Sequence, residues 1–195
     1  VNIYQQRQSP SMVIRAIKRQ VPKFETLGLP ENLKKLVLNK RGIVLLCGMT
    51  GSGKSTTLAS MIDYRNETTP GHIITIEDPI EHVYVPNKSI ISQREVRFDT
   101  KDFPIALRSC FREDVDIILI GEMRGVDTMA TAVTAAETGH MVYSTLHTNN
   151  ASQTIDRIID SFPPAQQDQI RQQLSGSLAG IFSQRLIPRV SGGLV

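Results

Sequence analysis

One stretch constrains this chain before any other: Gly48-Met49-Thr50-Gly51-Ser52-Gly53-Lys54-Ser55-Thr56, which follows the apolar run Gly42–Cys47 and leads into an amphipathic segment. It fits G-x-x-x-x-G-K-[ST] without departure, directly after a predicted strand and directly before a predicted helix, the setting a phosphate-binding loop requires. Glycines let such a backbone wrap so that successive N–H groups converge on phosphate oxygens, and the following helix adds a favourable dipole at its N-terminus. In this arrangement Lys54 reaches the β- and γ-phosphates, and the Ser55 hydroxyl takes one coordination position on Mg²⁺. The loop therefore predicts a nucleotide site, with ATP and Mg²⁺ as the expected ligands.

The pattern around the loop is that of an α/β domain. From Arg41 onward, short apolar runs (Gly42–Cys47, His72–Glu77, Ser89–Gln93, Val115–Ile120 and Met141–Thr145) alternate with helical segments (Lys54–Arg65, Lys101–Phe111, Val126–Glu137, Ala151–Ile159 and Ala165–Gln184). Runs that are apolar throughout mark strands buried on both faces, and their alternation with helices predicts a mainly parallel sheet. A short helix over Glu31–Asn39 precedes them, and residues 1–30 read as a polar start, an apolar piece at Met12, Val13, Ile14 and Ile17, and a link bearing Pro and Gly. At 195 residues the chain is one domain, or one domain with a short appendage, and the α/β core is expected from about residue 30 to the end.

Composition narrows the possible partners. Lys and Arg number 22 against 19 Asp and Glu, a net charge of +3, too mild and too evenly spread to imply nucleic acid or an acidic membrane. The longest apolar runs are five or six residues, where a membrane-spanning helix needs about 20. The first residues lack the basic start and apolar stretch of a signal peptide. Cys47 and Cys110 each sit in an apolar pattern and read as buried small residues of a reducing compartment.

A phosphate cradle does not hydrolyse by itself; it needs carboxylates near the metal and the attacking water. Val115–Ile120 runs into Gly121-Glu122, an apolar strand ending in an acid, so Glu122 is expected beside Mg²⁺ with Ser55. Glu77 closes another apolar run in Thr75-Ile76-Glu77-Asp78-Pro79-Ile80-Glu81 and is expected to orient the water. His140 and His147 flank one strand, too far apart along it to share a metal. Sensing of the γ-phosphate or hydrogen bonding between elements is expected of at least one of them.

Taken together, these segments resemble a known family. The loop Gly48–Ser55, the acidic box Thr75–Glu81, Gln93-Arg94-Glu95, Gly121-Glu122-Met123-Arg124, Ala136-Glu137-Thr138-Gly139-His140 and Ser144-Thr145-Leu146-His147-Thr148 occur in an order similar to that of the secretion ATPase superfamily, and most like the type IV pilus retraction ATPases of the PilT/PilU kind. The resemblance implies a RecA-like ATPase domain over residues 31–195 and, over residues 1–30, the tail of a PAS-like N-terminal domain with its linker. It implies a hexameric ring in the cytoplasm, at the inner face of the inner membrane, acting on a pilus platform protein to drive pilus disassembly. It makes Gly48–Thr56 the Walker A loop, Gly121-Glu122 the Walker B element, Thr75–Glu81 the aspartate box and His140 with His147 the histidine box. It also implies that Arg7 and Arg15 serve a neighbouring subunit's γ-phosphate, and that the chain stops short at both ends. Two departures stand out: Arg124-Gly125 where relatives often carry Arg-Asp, and an Arg7–Arg15 stretch one residue longer than the usual pattern.

Pilus-assembly and type II secretion ATPases usually carry a Cys-x-x-Cys element soon after the segment matching Ser183-Gln184-Arg185-Leu186, and no cysteine follows it here. Glu137 before Thr-Gly-His points the same way, toward retraction. The alternatives are an assembly or secretion motor without the zinc element, and a non-motor nucleotide-binding module that handles nucleic acid or regulates.

Overall fold

The computed structural model describes residues 2–14, 20–190 and 193. It opens with a hairpin of β1 (Asn2–Gln6) and β2 (Ser9–Val13), antiparallel, with Ile3 opposite Met12 and Tyr4 opposite Ser11. Arg7 and Gln8 form its two-residue turn with φ of 47° and 65°, the doubly left-handed geometry that matches the twist of paired strands. Ile3, Met12, Val13 and Ile14 are all exposed.

A single-turn 3-10 helix (Phe24–Leu27) and α1 (Glu31–Val37) then lead into the main sheet. Its elements are β3 (Gly42–Cys47), α2 (Lys54–Thr68), β4 (Gly71–Glu77), β5 (Ser89–Glu95), α3 (Phe103–Cys110), β6 (Ile117–Ile120), α4 (Val126–Glu137), β7 (Met141–Leu146), α5 (Ala151–Asp160), α6 (Pro164–Ser177) and β8 (Leu178–Ser183). The six strands lie in the order β5-β4-β6-β7-β3-β8, and every adjacent pair is parallel. All strands therefore end on one edge, where open α/β sheets bind ligands.

Alternation along each strand builds two cores. Val44 and Leu46 of β3, Ile73 of β4, Leu119 of β6 and Tyr143 of β7 pack with Leu33 and Val37 of α1 and Leu58 and Ile62 of α2. Ile43, Leu45, Ile74, Ile118 and Val142 point the other way, against Leu107 of α3, Met129 and Val133 of α4, Ile158 of α5 and Leu174 of α6. Helices thus cover both faces, which is why these strands read as uninterrupted apolar runs. The Tyr143 hydroxyl, buried with its ring, donates to the Val37 carbonyl at 2.9 Å and pins α1 to the sheet.

One expected element differs. The sequence pattern predicts a single helix over Ala165–Gln184, but α6 stops at Ser177 and the chain continues as β8. Gly176 and Gly180 each cost a helix about 1 kcal/mol relative to Ala. The free edge of β3 offers a ladder instead, entered through a one-residue irregularity between Ile43 and Val44. Leu178 and Ile181 then reach one core, and Ala179 and Phe182 the other. Cys47 and Cys110 are buried free thiols, and burial pushes the Cys110 thiol up to about 11.

Leu45, fully buried in β3, tests this architecture: Leu45→Ala should cost about 3 kcal/mol in urea unfolding, the lost transfer plus a cavity. A loss under about 1 kcal/mol would mean that β3 is not the centre of the core.

Candidate nucleotide-binding site

The loop sits where the sequence predicts. Six buried residues of β3 deliver the chain to Gly48, and α2 begins at Lys54 with Gly53 as its N-cap in left-handed geometry, φ 90°. Its first-turn N–H groups therefore open toward the loop. Lys54 folds back over it: Nζ donates to the Gly48 carbonyl at 2.8 Å and the Met49 carbonyl at 3.0 Å. Desolvation holds this ammonium below the usual lysine range, with Glu122 pulling the other way. A charge kept on neutral carbonyls beside a helix N-terminus is suited to an anionic ligand. Met49, Thr50, Gly51 and Ser55 face solvent at the mouth, Thr56 is half-buried and the Ser52 hydroxyl is buried with no hydrogen-bond partner. An exposed Ser55 hydroxyl at the start of α2, an orphaned Ser52 hydroxyl and a lysine over the loop fit a metal-bound polyphosphate.

Two carboxylates stand on the same edge in different environments. Glu77 ends β4 with 8% of its surface exposed. Its Oε1 accepts from the Thr75 hydroxyl at 2.7 Å and from Gln93 Nε2 at 3.5 Å. Desolvation raises its pKa above the ordinary carboxylate range, partly offset by those hydrogen bonds and by the Glu81 backbone amide. Glu122, one residue past β6, is more open. Its Oε2 accepts from Arg124 Nε at 2.8 Å and lies 3.4 Å from His147 Nε2. Gly121 brings the two acids' strands close, since its Cα hydrogen side faces the Glu77 backbone, and its N–H donates to the Ile76 carbonyl at 2.8 Å. The Thr145 hydroxyl of β7 donates to the Gly121 carbonyl at 2.8 Å, so β7 holds the turn that carries Glu122. No group of three or more His, Cys, Asp or Glu side chains suited to hold a metal by itself occurs among the described residues.

The two histidines part company. His147 follows β7 and meets Glu122, whereas His140 precedes β7 and stands on the opposite edge of the sheet. Seven residues at about 3.3 Å each put it roughly 20 Å from the loop side. Within one chain His140 therefore does not reach a nucleotide on Lys54, because a parallel sheet sends the start and end of a strand to opposite edges. Its ring Nδ1 donates to the Ala135 carbonyl at 3.1 Å, its own carbonyl accepts from Gly42 N–H, and its ring packs edge-on against Phe111. Those are bonds between elements. Arg7 lies exposed at the hairpin turn, and Arg15 lies outside the described residues.

Gln93-Arg94-Glu95 stands out in the sequence without a role of its own, and its function is non-local. Gln93 donates to the His82 carbonyl (2.8 Å) and accepts from Tyr84 N–H (2.9 Å), while Glu95 accepts from Ile80 N–H (3.0 Å). Asn66 of α2 caps the same segment through Asn87 N–H and the Val85 carbonyl. The chain that follows the acidic box is thereby clamped to β5 and α2, which fixes Glu77. Arg94 pairs with Glu113 at 2.6 Å on the outer side. The signal was the polar Gln and Glu in a strand that is otherwise apolar at its start.

A model of the type II/IV secretion system protein family matches residues 6–192. The chain is 51% identical over its whole length to the type IV pilus retraction ATPase PilT of Pseudomonas aeruginosa, covering 57% of that protein. It is 48% identical over 192 residues to the type IV pilus ATPase PilU of the same organism, covering 98% of this chain and 50% of that one. A crystal structure of the pilus retraction motor PilT with bound ADP superposes with a TM-score of 0.96 at 54% identity, over 99% of this chain and 56% of that chain. The chain thus spans about half the length of the curated relatives it matches.

Raised carboxylate pKa values are stability statements. Because Glu77 holds its proton more tightly folded than unfolded, its ionisation costs stability as pH rises from about 4.3 through the raised value. Glu77→Gln should therefore be at least as stable as the wild type at pH 8 and lose that advantage by pH 4, as read by thermal unfolding. An equal difference at both pH values would contradict the buried, desolvated placement. The loop geometry, the strand order and the matched length agree: the chain belongs to the type II/IV secretion system protein family.

Proposed function

We propose that this chain is the ATP-hydrolysing part of a ring-forming motor that powers type IV pilus retraction. The observation that carries the reading is the meeting, on one sheet edge, of a complete phosphate loop with Lys54, a paired Glu122–His147 and a desolvated Glu77. The retraction assignment rests on the similarity to PilT and PilU, one of which is a motor described with bound ADP.

In this reading Gly48–Thr56 cradle the phosphates, Lys54 leaves its carbonyls for the β- and γ-oxygens, and Ser55 with Glu122 would hold Mg²⁺. When bound, the metal would supply charge neutralisation at the phosphates. Glu77, with a raised affinity for a proton and clamped through Gln93, orients the attacking water and takes up its proton. His147 faces the same region through Glu122. His140 supports β7 and α4 from the far edge instead.

Residues 31–195 form the RecA-like ATPase domain. Residues 1–30 belong to the end of a PAS-like N-terminal domain and its linker, which accounts for a hairpin with apolar side chains exposed on both faces, since two strands alone are marginal in water. Arg7 and Arg15 would then stabilise the γ-phosphate on a neighbouring subunit in a hexamer. A pilus platform protein at the cytoplasmic face of the inner membrane is the partner that converts ring motion into disassembly. No helix among the described residues is long and apolar enough to cross a membrane. Nucleic acid is not expected as a ligand.

Steady-state ATP hydrolysis over a hundredfold range of full-length protein tests the enzymatic part. The rate per subunit should climb with concentration, because charge supplied between subunits is worth on the order of 10³-fold or more. Lys54→Ala should be inactive. Glu122→Gln should retain ATP while hydrolysing at least about 100-fold more slowly. A flat concentration dependence, or wild-type turnover by Glu122→Gln, would contradict these roles. In cells, loss of a retraction motor leaves surface pili and abolishes twitching, whereas loss of pili themselves would indicate an assembly motor.

A further inference from the structure

β8, where the sequence pattern predicts helix, delivers one residue to the phosphate loop. Gln184 follows β8 directly, and its N–H donates to the Cys47 carbonyl at 2.8 Å, carrying the β3–β8 ladder one step into the base of the loop. Its own carbonyl lies against Gly48, so closely that any side chain at Gly48 would run into it. Its side chain crosses to the loop's other end. Nε2 lies 2.9 Å from where a Gly53 Cβ would stand. Oε1 accepts from the Thr57 hydroxyl at 3.0 Å, and Thr57 is buried in the first turn of α2.

One residue therefore touches the first loop glycine, the last one and the helix that follows. The absence of a side chain at Gly48 (φ 149°) and Gly53 (φ 90°) serves this contact as well as the backbone geometry. A phosphate cradle depends on N–H groups held in place before the ligand arrives, because ordering them on binding would be subtracted from affinity. An amide also suits the position: its Nε2 presents donors toward the loop, where a carboxylate would oppose phosphate charge.

We propose that Gln184 is a positioning residue that ties both ends of the phosphate loop to β8, so that nucleotide affinity depends on where β8 and the chain after it sit. This rests on the nucleotide-site reading above. Segment 185–190 leaves directly from this tie, so movement there is transmitted to the loop through Gln184 and Thr57 rather than through the nucleotide's own contacts.

The test is equilibrium binding of Mg-ADP to the full chain, with thermal unfolding of the nucleotide-free protein alongside. The variants are Gln184→Met, which keeps the length beside Gly53 but not the hydrogen bond, Thr57→Val, the double variant and Thr57→Ser. Gln184→Met and Thr57→Val should each raise Kd about tenfold, as expected for one part-buried hydrogen bond. The double variant should be no weaker than about tenfold, because both changes break the same link, and Thr57→Ser should stay within about twofold. The turnover number at saturating ATP should change less than KM. An unchanged Kd in Gln184→Met, or effects that multiply to about a hundredfold in the double variant, would overturn the proposal, whatever the melting temperatures do. Should Gln184→Met fail to fold, equal Kd values for Thr57→Val and Thr57→Ser would overturn it. Failure of the wild type to bind Mg-ADP, or equal binding by Lys54→Ala, would instead remove the site reading on which the proposal stands.

Discussion

A phosphate loop works only if its N–H groups are held in position before the ligand arrives, and here that constraint falls on β3. The strand is buried on both faces and lies between β7 and β8, so the point at which the chain enters the loop is fixed from either side. The loop leaves through α2, which is packed on the sheet by Leu58 and Ile62. Everything else on that edge is placed relative to these two anchors. β6 and β7 bring Glu122 and His147 alongside, and β4 brings Glu77 one strand further out.

The two carboxylates stand in different surroundings, which suits them to the different roles proposed for them. Glu77 is desolvated, so its proton affinity rises, and the Thr75 hydroxyl, the Gln93 amide and a backbone amide offset that rise only in part. Glu122 keeps an arginine and a histidine within reach of its Oε2, at 2.8 and 3.4 Å. Neither environment comes from the acid's own neighbours in sequence alone. The Gln93 and Glu95 clamp on residues 80–84 arrives from β5, and the Thr145 bond that steadies Gly121 arrives from β7.

Much of this was readable in the sequence, for local reasons. Gly48–Ser55 names its own structure because the glycines, the lysine and the flanking strand and helix are contiguous. Gly42–Cys47 and Met141–Thr145 announce buried strands because both faces are covered. What escaped was non-local. Leu178–Ser183 carries an apolar run next to a glutamine-rich helix, and only the free edge of β3 decides that it pairs rather than winds on. The resemblance groups His140 with His147 as one histidine box, yet the place of His140 before the strand already sends it to the other edge. The partners of Gln93 are 9 to 16 residues away in sequence and become neighbours only through the β4–β5 pairing.

The most direct measurement is a crystal structure of the protein with Mg²⁺ and a slowly hydrolysed ATP analogue. The account predicts the triphosphate at the start of α2, with Lys54 Nζ moved from the Gly48 and Met49 carbonyls onto β- and γ-oxygens. Ser55 Oγ should lie on the metal, with Glu122 within one water of it. An analogue bound away from Gly48–Thr56, or a Lys54 still held by its own loop with phosphate beside it, would contradict the account.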